Sequence, residues 1–291
     1  MSNPYRLRSS DLFLRLDDGV NEQPRRIVFL SVEGNVTEVD YFRNIDKFRT
    51  ELGINALVRI EVIRRSYDDT RSDPSSVLSL LEELVDLHEN GADISKLVSI
   101  IPPCYDAEFI RTYLTHPESI DDDVISSFRK KMHSIGLDIA YMKFVSSCDE
   151  REDLFCVVLD RDSDSHSIKQ LEATAEKCFE KGYEFFITSP CFEFWLLMHL
   201  CDIDSSYGSK MGEIKENHRI SNRHTFLSYE VSRRAHHKKR ISESIFEKEY
   251  LQNIDYAVAQ SEKFEVSAEK IIKNGFIGSN LRDLIALLRS N

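Results

Sequence analysis

Residues 153–159 constrain the fold of this chain more than any other stretch. After Asp153, the side chains of Leu154, Phe155, Cys156, Val157, Val158 and Leu159 run without polar interruption into Asp160. A strand of that composition is buried on both faces, the situation of a central strand in a parallel sheet covered by helices. Arg26–Val32 is a second β-branched and aromatic run, ending at Glu33-Gly34 before a loop and a helix that starts near Thr37. Thr37 with Asp40 approximates a capping box, and Val39, Phe42, Phe48 and Leu52 supply a partial helical stripe behind it. Residues 57–63 alternate apolar and charged side chains and read as a strand, and 183–188 as another. Helices are predicted over 75–88, after Asp73-Pro74, and over 168–181, closed by Gly182. A further helix, 191–200, opens after Ser189-Pro190 and is apolar on most of its surface, so it belongs in the core. Strands alternating with helices predict an α/β protein with a mostly parallel sheet flanked by helices.

The 291 residues divide, on this reading, into an N-terminal extension over 1–24, an α/β domain over 25–205, and a mostly helical C-terminal region over 206–291. Residues 92–150, with Pro102-Pro103, His116-Pro117 and Asp121-Asp122-Asp123, form a largely helical insertion in the α/β domain, with one helix near 124–135. Helices are expected over 250–273 and 281–289. No run of about 18 apolar residues predicts a membrane span, and residues 1–26 lack the apolar core of a secretory signal. Six irregularly spaced cysteines without a CxxC pair argue against a disulfide framework, so the expectation is a reducing cytoplasm. Cys191, His199 and Cys201 lack the paired spacing of a zinc site.

Fifty acidic against 38 basic side chains leave a net charge of −12, a field that repels phosphate backbones. Binding to nucleic acid therefore requires a local basic patch or bound cations. The dense block Arg233-Arg234-Ala235-His236-His237-Lys238-Lys239-Arg240 is such a patch, its cationic members being Arg233, Arg234, Lys238, Lys239 and Arg240. The alternative is a solvated face or a docking surface for an acidic partner.

In an open α/β sheet, chemistry gathers where strands end in loops at their carboxyl edge. Glu33 ends one predicted strand there, and Asp160, Asp162 and Asp164 follow another. Carboxylates forced into one crevice repel strongly unless a proton or cation neutralises them, and Mg²⁺ suits an all-oxygen set. The pattern is not an EF-hand, because Ser165 and Leu171 occupy the positions that need Gly and Glu. Glu193, in the first turn of the apolar helix, can join the same crevice from behind. No phosphate loop, GxGxxG, HExxH or GxSxG pattern occurs.

These residues resemble the RloB (AbiLii-type) family of prokaryotic anti-phage proteins, whose fold is Toprim-like. Glu33-Gly34, Thr37-Glu38 and Tyr41-Phe42 match the family's opening pattern; Asp160 and Asp162 match its Asp-x-Asp after an apolar strand. Pro190-Cys191-Phe192-Glu193 and Trp195 match a third segment, with Ser189 in place of an Asn. Looser likeness continues through Lys238 and Ile277-Gly278-Ser279-Asn280. The resemblance implies a catalytic and metal-binding set of Glu33, Asp160 and Asp162 holding Mg²⁺ or Mn²⁺, supported by Gly34, Thr37, Glu38, Asp164 and Glu193. It also implies cleavage of nucleic-acid phosphodiester bonds, RNA such as tRNA favoured over DNA, as the toxic step of abortive infection. An ABC-type ATPase partner and a homodimer are further expectations, with no membrane association. Two rivals remain open: a non-catalytic subunit that docks to an ATPase, and a phosphatase or phosphotransferase using Asp160 as nucleophile.

Overall fold

The computed structural model describes residues 7–8, 26–65, 71–135, 137–146, 153–162, 166–236 and 240–290. The chain forms two compact units. One comprises Glu22–Val62, Arg71–Leu78 and Leu154–Asn291; the other comprises Met1–Asn21, Ile63–Thr70 and Ser79–Asp153.

The first unit is built on a five-stranded sheet. Its strands are β1 (Arg26–Val32), β2 (Val58–Val62), β3 (Leu154–Asp160), β4 (Glu184–Ser189) and the two-residue β5 (Gly278–Ser279), in the order β2-β1-β3-β4-β5. All neighbours are parallel except β4 and β5. The α/β, mostly parallel architecture expected from the sequence is therefore present, consistent with a Toprim-like fold. Val28, Phe29 and Leu30 of β1 and Cys156 and Val157 of β3 are wholly buried, as a strand covered on both faces requires. Each such side chain contributes roughly 1.5–3 kcal/mol, so the central pair β1 and β3 anchors the unit.

The principal helices are α1 (Thr37–Lys47), α2 (Pro74–Asn90), α3 (Ile168–Lys181), α4 (Phe192–Leu200), α5 (Phe226–Ala235), α6 (Ile254–Ser261), α7 (Ala268–Asn274) and α8 (Leu281–Arg289). Helix α3 starts with a capping box between Ser167 and Gln170 and stops at Gly182, whose φ of 70° is a left-handed conformation that glycine adopts without strain. Helix α4 buries Phe192 and every residue from Phe194 to His199, and it follows a cis Ser189-Pro190 peptide.

Two local expectations are corrected. Thr37 is not a cap but the first helical residue; Val36 stands in the cap position and no side chain caps it. Asp40 is diverted elsewhere, accepting from the Ile241 N–H at 3.1 Å and pairing with Arg240. The continuous helix expected over 250–273 is broken into the turns Phe246–Tyr250 and Leu251–Asn253, then α6, then α7. The break is made by Glu265, whose carboxylate takes the N–H groups of Val266 and Ser267 and whose backbone bridges to Gly278. The side of β4 not covered by the short β5 is completed by Asn280, whose Oδ1 accepts from Ile187 N–H at 2.6 Å and whose Nδ2 donates to Phe185 O at 3.0 Å.

In the second unit, the helices Ile94–Ile100, Ala107–Thr115 and Asp122–Ser134 are each capped by an aspartate, Asp93, Asp106 and Asp121. A fourth helix spans Ile139–Ser146. Phe128 packs edge-on against Tyr105, Phe109 and Tyr113 with ring centroids within 4.7–5.0 Å, and Arg129 Nε donates to Tyr113 Oη. Leu7–Arg8 pairs antiparallel with Arg64–Arg65.

Candidate active site

The strand order sets the site. From β1 the chain moves outward to β2, whereas β3 lies on the opposite side of β1, so the loops leaving β1 and β3 diverge and open a crevice at the carboxyl edge. Val32 is in register with Val158, and Glu33 N–H extends the ladder by donating to Val158 O at 3.1 Å. Asp160 then reaches past the end of β1, and its N–H donates to Glu33 Oε2 at 3.0 Å. Side chain and backbone 127 positions apart in sequence therefore meet at the crevice floor.

Two helices bring further carboxylates. Glu38 and Glu193 lie in the first turns of α1 and α4, where the helix dipole favours negative charge. The Glu38 carboxylate, 8% exposed with the rest of its residue, is bonded by the N–H of Gly34 as well as by its own. Its pKa is nonetheless pushed up to about 8, first by burial and then by Glu193 and Glu33. Asp160 keeps a part-exposed edge, yet its carboxyl is held well above the ordinary range by desolvation, followed by the charges of Glu33, Glu38 and Glu193. The Phe192 N–H opposes that rise. Glu33, Glu38, Asp160 and Glu193 thus form one mutually repelling group, in which Glu38 holds a proton at neutral pH and the Asp160 carboxyl is shifted in the same direction.

His166 belongs to this group and was not singled out from the sequence. Its Nε2 lies 2.9 Å from Glu33 Oε1, and its side chain is 4% exposed. The hydrogen bond to Glu33 raises its pKa; burial works against that, while the charges of Glu33, Asp162 and Asp73 reinforce it. Asp162 enters through His166, by charge and by its backbone oxygen accepting from His166 N–H at 3.1 Å. Thr37 opens α1 one residue before Glu38. Asp164 lies outside the described residues.

The walls carrying Glu38 and Glu193 are joined by a buried polar chain. His199 Nδ1–H donates to Trp195 O at 2.9 Å, so its Nε2 accepts from Tyr41 Oη at 3.1 Å, and Tyr41 Oη accepts in turn from Trp195 Nε1–H at 3.0 Å. Phe192 stacks edge-on against Tyr41 at 5.4 Å, and Phe42 lies 5.8 Å from the same ring. The Tyr41-Phe42 and Cys191-Phe192-Glu193-x-Trp195 segments, remote in sequence, are thereby one packed unit behind the carboxylates. The model of the family described as "RloB-like protein" matches residues 28–288, which includes every one of these segments. The chain belongs to the RloB-like family. No curated protein and no solved structure is matched.

The donor set of this RloB-like chain suits a hard cation. All four clustered groups offer oxygen, and a divalent ion would offset their mutual repulsion and displace the proton on Glu38. The neighbouring Cys191 thiol is pushed well up by burial and by Glu193 and Asp160, so it offers no thiolate to a softer metal. Among the described residues, no three His, Cys, Asp or Glu side chains are gathered at coordinating distances, and both Glu33 oxygens are engaged by His166 and the Asp160 N–H.

The basic block is partly spent inside the protein. Arg233 pairs with Glu230 at 2.6 Å; Arg234 donates to Tyr207 Oη at 3.0 Å and lies 5.3 Å above that ring. Arg240, whose side chain is 72% exposed, pairs with Asp40 on α1, two residues beyond Glu38. Lys238 and Lys239 lie outside the described residues.

Proposed function

We propose that this RloB-like chain is a metal-dependent nuclease of the Toprim type that cleaves phosphodiester bonds, RNA such as tRNA in preference to DNA, as the toxic effector of an anti-phage response. The observation that carries the reading is the convergence of Glu33, Glu38, Asp160 and Glu193 at the switch point of the sheet, with the Glu38 and Asp160 carboxyls pushed up by burial and then by their acidic neighbours. Converging carboxylates of perturbed pKa in a crevice mark functional sites, because a purely structural role gains nothing from the repulsion.

Glu33 and Asp160, with Asp162 on the following loop, would hold Mg²⁺ or Mn²⁺; Glu38 and Glu193 add negative charge behind them. A bound cation of this kind supplies neutralisation of charge on the phosphoryl and leaving oxygens. Glu33, bonded on both oxygens, accepts the proton of the attacking water. The exposed Arg240 meets the strand beside α1 as it approaches the crevice. An ABC-type ATPase that restrains or triggers the toxic step fits this role.

The test is incubation of purified protein with total RNA and with duplex DNA, with Mg²⁺, Mn²⁺ or chelator. Discrete fragments that vanish with chelator, and with Glu33→Gln or Asp160→Asn, are the expected result. Cleavage by both variants at the parent's rate overturns the catalytic assignment. A second reading, a non-catalytic subunit docking to the ATPase, is favoured by the internal pairing of Arg233 and Arg234; it predicts no cleavage even after the ATPase is engaged.

A further inference from the structure

Glu33 is fixed at both ends of its carboxylate, and only one of the two donors belongs to the sheet. The Asp160 N–H, at 3.0 Å from Oε2, is fixed by β3. The other, His166 Nε2, at 2.9 Å from Oε1, comes from the residue just before the Ser167 cap of α3. The imidazole is buried, and among the described residues its Nδ1 has no hydrogen-bond partner. A buried imidazole with one nitrogen unsatisfied carries a desolvation cost that the contact to Glu33 must offset. With Nε2 donating to the Glu33 carboxylate oxygen, Nδ1 is the bare nitrogen in the neutral ring. His166 is therefore oriented by Glu33, and Glu33 by His166.

We propose that His166 is the positioning residue for Glu33: it selects the carboxylate rotamer that faces the crevice and keeps Oε2 on the Asp160 amide. The proposal deepens the nuclease reading and rests on it for its effect on cleavage. Without the imidazole, Oε1 loses the His166 donor while Glu38 and Asp160 still press on a three-torsion side chain, and the carboxylate turns away from the Asp160 amide. Partners that orient a ligating carboxylate commonly carry 10–100-fold in affinity or rate.

The experiment compares parent, His166→Ala and His166→Gln, the last retaining an N–H donor at similar reach. Amide hydrogen exchange without metal reads the Asp160 N–H, with Val158 in the same strand as the internal standard. His166→Ala is expected to raise the Asp160 exchange rate at least tenfold relative to Val158, and His166→Gln to restore most of the protection. In the same variants, Mn²⁺ affinity and kcat for cleavage fall about 10–100-fold in His166→Ala with KM little changed, and recover in His166→Gln. Unaltered relative exchange at Asp160 in His166→Ala overturns the proposal, as does a His166→Gln variant as impaired as His166→Ala. A parent that neither binds Mn²⁺ nor cleaves nucleic acid sinks the nuclease reading instead, and leaves the exchange result to decide the role of His166 by itself.

Discussion

Gly34 lies so close beneath Glu38 that a Cβ at position 34 would stand 1.9 Å from Glu38 Oε2. The bare Cα of Gly34 thus leaves room for the carboxylate of the next helix, which settles onto backbone and accepts the Gly34 N–H. Gly34→Ala is expected to drive that carboxylate toward Glu33 and Glu193. Overpacking of this sort costs about 1–3 kcal/mol of stability. The loss in Mn²⁺ affinity should be the larger effect, roughly tenfold or more, since every displaced position increases repulsion within the cluster. Denaturant unfolding and titration calorimetry on one preparation separate the two; unchanged metal affinity would refute the crowding argument.

Glu38 gives the metal-free protein a pH dependence opposite to that of an ordinary salt-bridged acid. Its pKa is about 8 in the fold against 4.5 in the unfolded chain, so the folded state binds the extra proton between those values. Stability is fully present below pH 4.5 and is lost as pH rises through about 8. Asp160, shifted in the same direction, adds to the fall. The total is on the order of a few kcal/mol. Urea unfolding in chelator from pH 5 to 9 should show the decline, and Glu38→Gln should flatten it; a Glu38→Gln curve parallel to the parent's would contradict the shift.

How far the sequence speaks for this arrangement depends on what kind of signal each residue leaves. The strands β1 and β3 announce themselves because burial on both faces demands unbroken apolar runs, and their ends place Glu33 and Asp160 together once the strands are neighbours. Glu38 and Glu193 are visible as acids in first turns, yet their entry into one cluster depends on the packing of Tyr41, Phe42 and Phe192, which no local pattern encodes. His166 leaves almost no signal: it is a single histidine after a polar loop, and its partner Glu33 is 133 positions away. The basic block looks free in sequence because Glu230, Tyr207 and Asp40, which engage three of its arginines, are supplied by the fold.

The buried chain through Tyr41, Trp195 and His199 predicts sensitivity to acid. Burial lowers the His199 pKa from 6.5 to about 4, so the unfolded chain binds the extra proton between those values. Stability from this residue is present above pH 6.5 and is lost as pH falls through about 4, a total on the order of 3 kcal/mol. Tyr41→Phe strands His199 Nε2 and Trp195 Nε1–H without their common partner and should cost about 2–4 kcal/mol at neutral pH. Thermal unfolding of both Tyr41→Phe and His199→Gln checks the account: the first lowers the midpoint at all pH values, while the second removes the loss between pH 6.5 and 4. A Tyr41→Phe protein as stable as the parent would show that the hydroxyl bridges nothing.

Cation binding should be a proton exchange. At pH 7 Glu38, with a pKa of about 8, carries a proton that a divalent ion must displace, and the Asp160 carboxyl is shifted in the same direction. Binding of Mn²⁺ is therefore expected to release about one proton at pH 7, and the affinity to rise up to about tenfold per pH unit toward pH 8. Calorimetry in buffers of differing ionisation enthalpy counts the protons directly. Glu38→Gln should lower the count by about one and weaken the pH dependence; because the amide is neutral at every pH, no compensating ionisation can mask the change. Saturable Mn²⁺ binding with no proton release would mean that the ion sits away from Glu38 and Asp160, and that the crevice at the end of β1 and β3 is not its site.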